Sequence, residues 1–365
     1  MINVQFFPSR RLAIYLAKMF LLRSLAVLGA LVVILMTLDL LGESGKILRQ
    51  PDNGDAELWR YVSLRIPQLV ARFLPFSVLL GTLITLATLN QNSEVVSMKA
   101  AGISAHQIIA PLILASLGVA AVSFAFNERV VTRATETLSA WEKVEYGPVP
   151  ADTGMKPNIW VRFGDDLILA RQVIGTGPET RLAGITVYDR DWETLQTIID
   201  AKSGHLEGDS WRLEDAEVFD VAGGTKTKVP NLLYGRGLDT TQFTLAHVSS
   251  DEEDFATLKK AIEQLKLAGR DTAELETGFW HKFSGPLSSV LMPLLAAVAA
   301  FGLARSGQLF LRAVIGMALG FTYFVVDNFA VAMGNLGAYP PLLAAWAPFV
   351  LFLLVGEAVL IRTEE

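Results

Sequence analysis

The 365-residue chain has no cysteine and only four histidines, His106, His205, His247 and His281, all far apart. Disulfides, thiolate nucleophiles and cysteine metal sites are thereby excluded, and the scattered histidines argue against a metal cluster. Basic charge is not in surplus: 31 Lys and Arg against 37 Asp and Glu leave a net charge of -6. No global field favours nucleic acid. A nucleotide-binding loop is missing too. The nearest imitation, GESGKI at 42–47, lacks the first glycine at the required offset and has Ile47 in place of Ser or Thr. It also follows an apolar run rather than a strand. The polarity of an ordinary soluble domain is the last absence: 52% of residues are hydrophobic, 19% are charged and mean hydropathy is +0.40.

What replaces that polarity is a set of long apolar runs. A bilayer takes about 20 apolar residues to cross. Residues 73–93, 107–127 and 283–304 carry no charge. Residues 313–326 extend into the uncharged stretch 328–356, which Pro340 and Pro341 divide between two spans. The first span, roughly 12–41, holds Lys18 and Arg23 in its opening turns, where long side chains reach the interface. The pattern predicts an α-helical membrane protein with six transmembrane helices, three before and three after a polar insert.

In the insert, NIWVRF (158–163), DLILARQV (166–173), AGITVYDR (183–190), TLQTIIDA (194–201) and SWRLEDAEVFD (210–220) read as short strands punctuated by glycine turns. Their spacing predicts an all-β sandwich or jelly-roll-like domain, with Trp160, Trp192 and Trp211 in its core. DFATLKKAIEQLKLAG (254–269) reads as an amphipathic helix packing back on that domain. The expected division is 1–140 for the first three spans, 141–250 for the β-domain, 251–278 for the helix and linker, and 279–365 for the last three spans. Arg10, Arg11, Lys18 and Arg23 favour cytoplasmic termini and hence a periplasmic β-domain.

Between spans two and three lies NQNSEVVSMKAAGIS (90–104). Asn90 to Ser93 are capping residues, Val95, Met98 and Ala101 recur at helical spacing, and Gly102 is a stop. A turn needing only to reverse the chain would be polar. This one keeps Val95, Val96, Met98 and Ile103, which suit either a helix on the lipid interface or a knob for a groove on another protein. Near the outer ends of spans one to three fall Lys46, Arg49, Arg65, Arg72, Arg129 and Arg133. As a group they suit a phosphate-rich headgroup. Asp39, Asp327 and Glu357 lie in or at the ends of spans, where ionised groups are costly. Asp327, beside Asn328, reads as a helix-to-helix hydrogen bond.

RIPQLVARFLPFSVLLGTLITLATLNQNSEVVSMKAAGIS (65–104) resembles the second span and coupling segment of the lipopolysaccharide-export permeases, the LptF/LptG family. The resemblance extends over nearly the whole chain. VVDNFAVAMGNLGAYPPLLAAWAP (325–348) and the single β-domain are more similar to the LptG branch than to the LptF branch. It implies one half of an inner-membrane pair in a Gram-negative bacterium, with an LptF-type paralogous permease as the other half. A cytoplasmic ATPase dimer would use ATP and Mg, no cofactor would be held by this chain, and a periplasmic jelly-roll bridge protein would receive the lipopolysaccharide. Within the coupling segment, Glu94 is the position whose family counterpart contacts the ATPase, and Met98, Lys99 and Gly102 share its motif. Family members often carry lysines in span one and near the start of span two. Met36 and Gln68 stand there in this chain, which weakens a direct transfer of substrate contacts. Two other readings are an LptF-type subunit and a proton-coupled secondary transporter using the three acids. Against the latter, inverted repeats and paired broken helices are not evident. A membrane-anchored enzyme finds no nucleophile–base pair in the insert.

Overall fold

The structure is a computed structural model describing residues 8–148, 155–175, 179–191, 194–244, 249–267, 270–302 and 309–362. The chain forms two compact units, a helical one (1–148, 250–255 and 273–365) and a second one (149–249 and 256–272). The order of elements is α1 (Arg10–Ile47), α2 (Asp55–Gln91), α3 (Glu94–Ala100), α4 (Ala105–Phe126), α5 (Thr132–Lys143), β1 (Met155–Phe163), β2 (Asp166–Ile174), β3 (Arg181–Asp191), β4 (Thr194–Glu207), β5 (Ser210–Asp220), β6 (Thr225–Tyr234), α6 (Thr241–Thr244), α7 (Phe255–Leu267), α8 (Ala273–Ala297), α9 (Leu309–Asn335) and α10 (Pro341–Arg362).

Among the described residues, six helical segments are long and apolar enough to cross a membrane: α1, α2, α4 with α5, α8, α9 and α10. The imitation P-loop at 42–47 is helical and forms the end of α1. The third span outlasts its apolar run. A π turn, Asn127–Val131, carries the helix from α4 into the amphipathic α5, whose Leu138 and Trp141 are buried beside Tyr61 and Tyr146. Helix α8 is the axis of the bundle and packs on α2, α4, α9 and α10. Its small residues let neighbours approach, and glycines on those neighbours do the same. A Cβ on Gly320 of α9 would lie 2.2 Å from Leu79, and one on Gly356 of α10 would lie 2.8 Å from Leu294.

The insert is all-β. Its six described strands form one antiparallel sheet in chain order, and no second sheet is present among the described residues. The sixth strand, TKTKVPNLLY, was not expected from its sequence, because it is polar and contains Pro230, features that place a strand at a sheet edge. A crease crosses the whole sheet. Regular pairing is interrupted between every two strands, at Asn158–Arg171, Arg171–Gly184, Gly184–Lys202 and Asp215–Pro230, and at two rows, Ala201–Ala216 and Lys202–Asp215, between β4 and β5. At that row Gly184 has φ 65° and Asp215 φ 49°.

Burial shifts by one residue across the same row. Ile168 and Ala170 are buried on one side and Val173 on the other; likewise Ala216 on one side, then Leu213 and Trp211. All strands change phase together at this row, so the pairing register is kept across it and the apolar side chains stay on one face. The halves share a core with Leu238 and Phe243, so a second sheet is not needed to bury it. Trp211 is central, its ring edge-on to Phe243 and its Nε1–H donated to the Leu238 carbonyl at 2.8 Å. Trp160 departs from the core expectation: it is 49% exposed and stacks on Tyr188. Trp192 lies outside the described residues. Helix α7 from Ala256 onward belongs to this unit and buries Leu258, Ala261, Ile262 and Leu265.

Candidate functional site: the α2–α4 turn and the outer end of the bundle

Local signals build the turn between spans two and three. Ser93 reverses the chain with φ 58°, and α3 begins at Glu94. It ends in a Schellman motif: Ile103 N–H donates to the Met98 carbonyl and Gly102 N–H to the Lys99 carbonyl, both at 3.0 Å. Gly102 takes φ 82°, the left-handed conformation that motif requires. Two residues later Ser104 opens α4 with a capping box, accepting from Gln107 N–H at 3.2 Å while its own N–H donates to Gln107 Oε1 at 3.1 Å. One helix is thus stopped and the next started within three residues.

The apolar residues of α3 divide. Val95 and Met98 are buried in the core of the bundle with Leu16, Phe20, Leu89 and Ile108, whereas Val96 is 65% exposed. Met98 is therefore an anchor, and the expectation that it faces outward does not hold. Glu94 accepts from the Tyr15 hydroxyl at 3.2 Å and from Asn92 Nδ2 at 3.2 Å. Lys99 lies over the Phe301 ring at 5.4 Å. The outward face consists of Val96, Ser97, Lys99, Ala100 and Gly102 on a short helix fixed at both ends.

At the other end of α1 and α2, the expected cations fall into two groups. Arg65 is engaged: its Nε donates to Asp39 Oδ2 at 2.9 Å, a second nitrogen to Asp39 Oδ1 at 3.2 Å and the third to Gln68 Oε1 at 2.8 Å. Tyr61 donates to the same carboxylate at 2.6 Å. Lys46 pairs with Glu43 at 2.8 Å although it is 60% exposed, and Tyr146 donates to Glu43 from the other side at 2.9 Å. Burial, then that bond, raises the Tyr146 hydroxyl above its ordinary range. Arg49, Arg72, Arg129 and Arg133 are exposed and make no ion pair among the described residues.

The three acids do not form a relay; each is held by a different helix pair. Asp39 on α1 is met by Arg65 on α2 at 2.9 Å, Asp327 on α9 by His281 on α8 at 3.1 Å, and Glu357 on α10 by His106 on α4 at 3.5 Å. Asp327 does make a helix-to-helix bond, but its neighbour Asn328 turns away to the Phe324 carbonyl at 2.7 Å. A pair that did not stand out in the sequence is Glu128 with Lys282 at 3.1 Å, their side chains 16% and 13% exposed. Glu128 also accepts the Phe255 N–H at 2.7 Å. The only sequence signal for it was two opposite charges at the ends of spans three and four next to the insert.

The family profile described as Lipopolysaccharide export system permease LptF/LptG matches residues 14–362. Among curated proteins, the lipopolysaccharide export system permease protein LptG of Escherichia coli (strain K12) is 25% identical over 309 residues, covering 83% of this chain and 84% of that protein. The LptG protein of Haemophilus influenzae (strain ATCC 51907 / DSM 11121 / KW20 / Rd) is 26% identical over 351 residues, covering 93% and 97%. A multi-pass bundle, an inserted antiparallel β-domain and a profile match over nearly the whole length agree: the chain belongs to the LptF/LptG family of lipopolysaccharide export system permeases.

Proposed function

We propose that this chain is the LptG-type permease of an ATP-driven lipopolysaccharide exporter, working with an LptF-type paralogue and a separate cytoplasmic ATPase dimer that docks on α3. The carrying observation is the build of that turn. A seven-residue helix is pinned by Val95 and Met98 to the bundle and by a Schellman motif to the next span, yet offers Val96 and Lys99 outward. A loose loop would absorb a push from below. A short helix locked to two spans passes it on.

On this reading the termini and α3 are cytoplasmic, and the β-domain is periplasmic. ATP and Mg belong to the ATPase, and lipopolysaccharide leaves the membrane toward a bridge protein with a jelly-roll. The unpaired cations Arg49 and Arg72 are the better candidates for headgroup phosphates. Lys46 and Arg65 are already neutralised by Glu43 and Asp39, so their removal disturbs the fold as well as any ligand.

The test is co-purification from membranes. Glu94→Lys should lose most of a stoichiometric ATPase, because it reverses the charge of a half-buried residue at the rim of the outward face. Tyr15→Phe, which removes only the bond to Glu94, should retain it. Full ATPase recovery with Glu94→Lys contradicts the docking role.

A further inference from the structure

The cleft between α1, α2 and α4 encloses about 640 Å³, within the roughly 300–1,000 Å³ typical of ligand sites. Its walls are aliphatic and aromatic, with Leu21, Leu28, Leu74, Val78, Val119 and Phe126 among them, apart from three serines. Gly81, Gly316, Gly320 and Gly356 are packed against a neighbouring helix, whereas Gly29, Gly42 and Gly45 of α1 face open space. At Gly118, on the cleft wall, an added Cβ would meet nothing within 4 Å. The cleft is therefore space that the chain does not fill. Its mouth is flanked by Leu25, 61% exposed, and Val122, 71% exposed.

Two features say what fills it. The first is depth. The lining of α4 runs from Ala115 to Phe126, about 16 Å at 1.5 Å per residue. That is close to half of the roughly 30 Å hydrocarbon core, the reach of a chain in one leaflet. The second is a pair of cations at the end of the α4 lining; the opposite end has Lys18, one turn before Leu21 on α1. Arg129 lies a turn beyond Phe126, inside the π turn, and Arg133 a turn beyond that. Both are exposed and unpaired among the described residues. Arg72 does not share the site, because α2 lines the cleft with residues 70, 71, 74, 77 and 78, which puts position 72 on the far side of that helix. An apolar slot one leaflet deep, ending at two free guanidinium groups, matches a phosphate carried on an acyl chain.

We infer that this cleft binds one anionic glycerophospholipid of the surrounding bilayer, with an acyl chain along α4 and its phosphate on Arg129 and Arg133. The space admits one or two chains, too few for the many-chained lipid A. The inference therefore goes beyond the transport reading and does not depend on it.

Native mass spectrometry of the detergent-purified full chain tests it, with phosphatidylglycerol and phosphatidylcholine of the same chains added in turn. One phosphatidylglycerol should be retained about tenfold more tightly than phosphatidylcholine. The exposed double variant Arg129→Ala/Arg133→Ala should erase that difference. Val122→Trp, which blocks the mouth, should weaken both lipids; Gly118→Leu does the same from inside should the tryptophan variant fail to insert. Equal retention of the two lipids, or unchanged preference in the double arginine variant, overturns the site. Retention of lipopolysaccharide in place of phospholipid also overturns it, by making the cleft part of the substrate path.

Discussion

Removing the guanidinium of Arg65 leaves the Asp39 carboxylate with only the Tyr61 hydroxyl. The pair is half-buried, so its strength lies between surface and interior values. A double-mutant cycle of Arg65→Ala and Asp39→Ala should give a coupling of about 1 kcal/mol in thermal stability. A zero coupling with lost export would instead make Arg65 a substrate contact. A second residue-scale outcome concerns Tyr234 in the β-domain, which donates to Asp166. Burial, then that bond, raises its hydroxyl above the ordinary range. The protonated form is the favoured one, so the contribution is complete below pH about 10 and disappears as the solution becomes more alkaline. In an alkaline titration followed by tyrosinate absorbance, Tyr234→Phe should remove one late-ionising tyrosine from the several present. None of these pairings was legible in the sequence. Asp39 and Arg65 were visible as charges near span ends, but a partner 26 residues away, or 154 for Glu128 and Lys282, is set by which helices pack together.

At the scale of the element, legibility followed how local the signal is. Helix α3 was readable because Gly102 and Ser104 carry its stop and the next start in their own chemistry. Which of its apolar residues point inward was not readable, since Val95 and Val96 differ only in what the bundle presents to them. Strand β6 escaped because an edge strand needs neither alternation nor freedom from proline. The crease shows in the sequence only as a phase slip, one strand at a time, and gains meaning once the strands are aligned. Gly184 sits on it with φ 65°, and an added Cβ would lie 2.9 Å from the Arg171 side chain. Gly184→Val should therefore destabilise the β-domain by about 1–3 kcal/mol. Limited proteolysis should detect this as faster cleavage within 155–234, with the spans intact. A variant as resistant as the parent would mean that the crease does not depend on the glycine.

For the whole molecule, hydropathy and strand spacing gave six spans and an all-β insert because both depend on period and length alone. The working direction of the chain depends on what meets α3 from outside. Its exposed Val96 would suit a lipid surface or a protein groove equally well by spacing; family membership and the rigid mounting favour the groove. The most direct measurement places a photoreactive amino acid at Val96 in cells and identifies what it captures. The account predicts one dominant adduct, a soluble ATPase subunit, abolished by Glu94→Lys. Capture of lipid alone, with the ATPase absent, would contradict it and make α3 an interfacial helix.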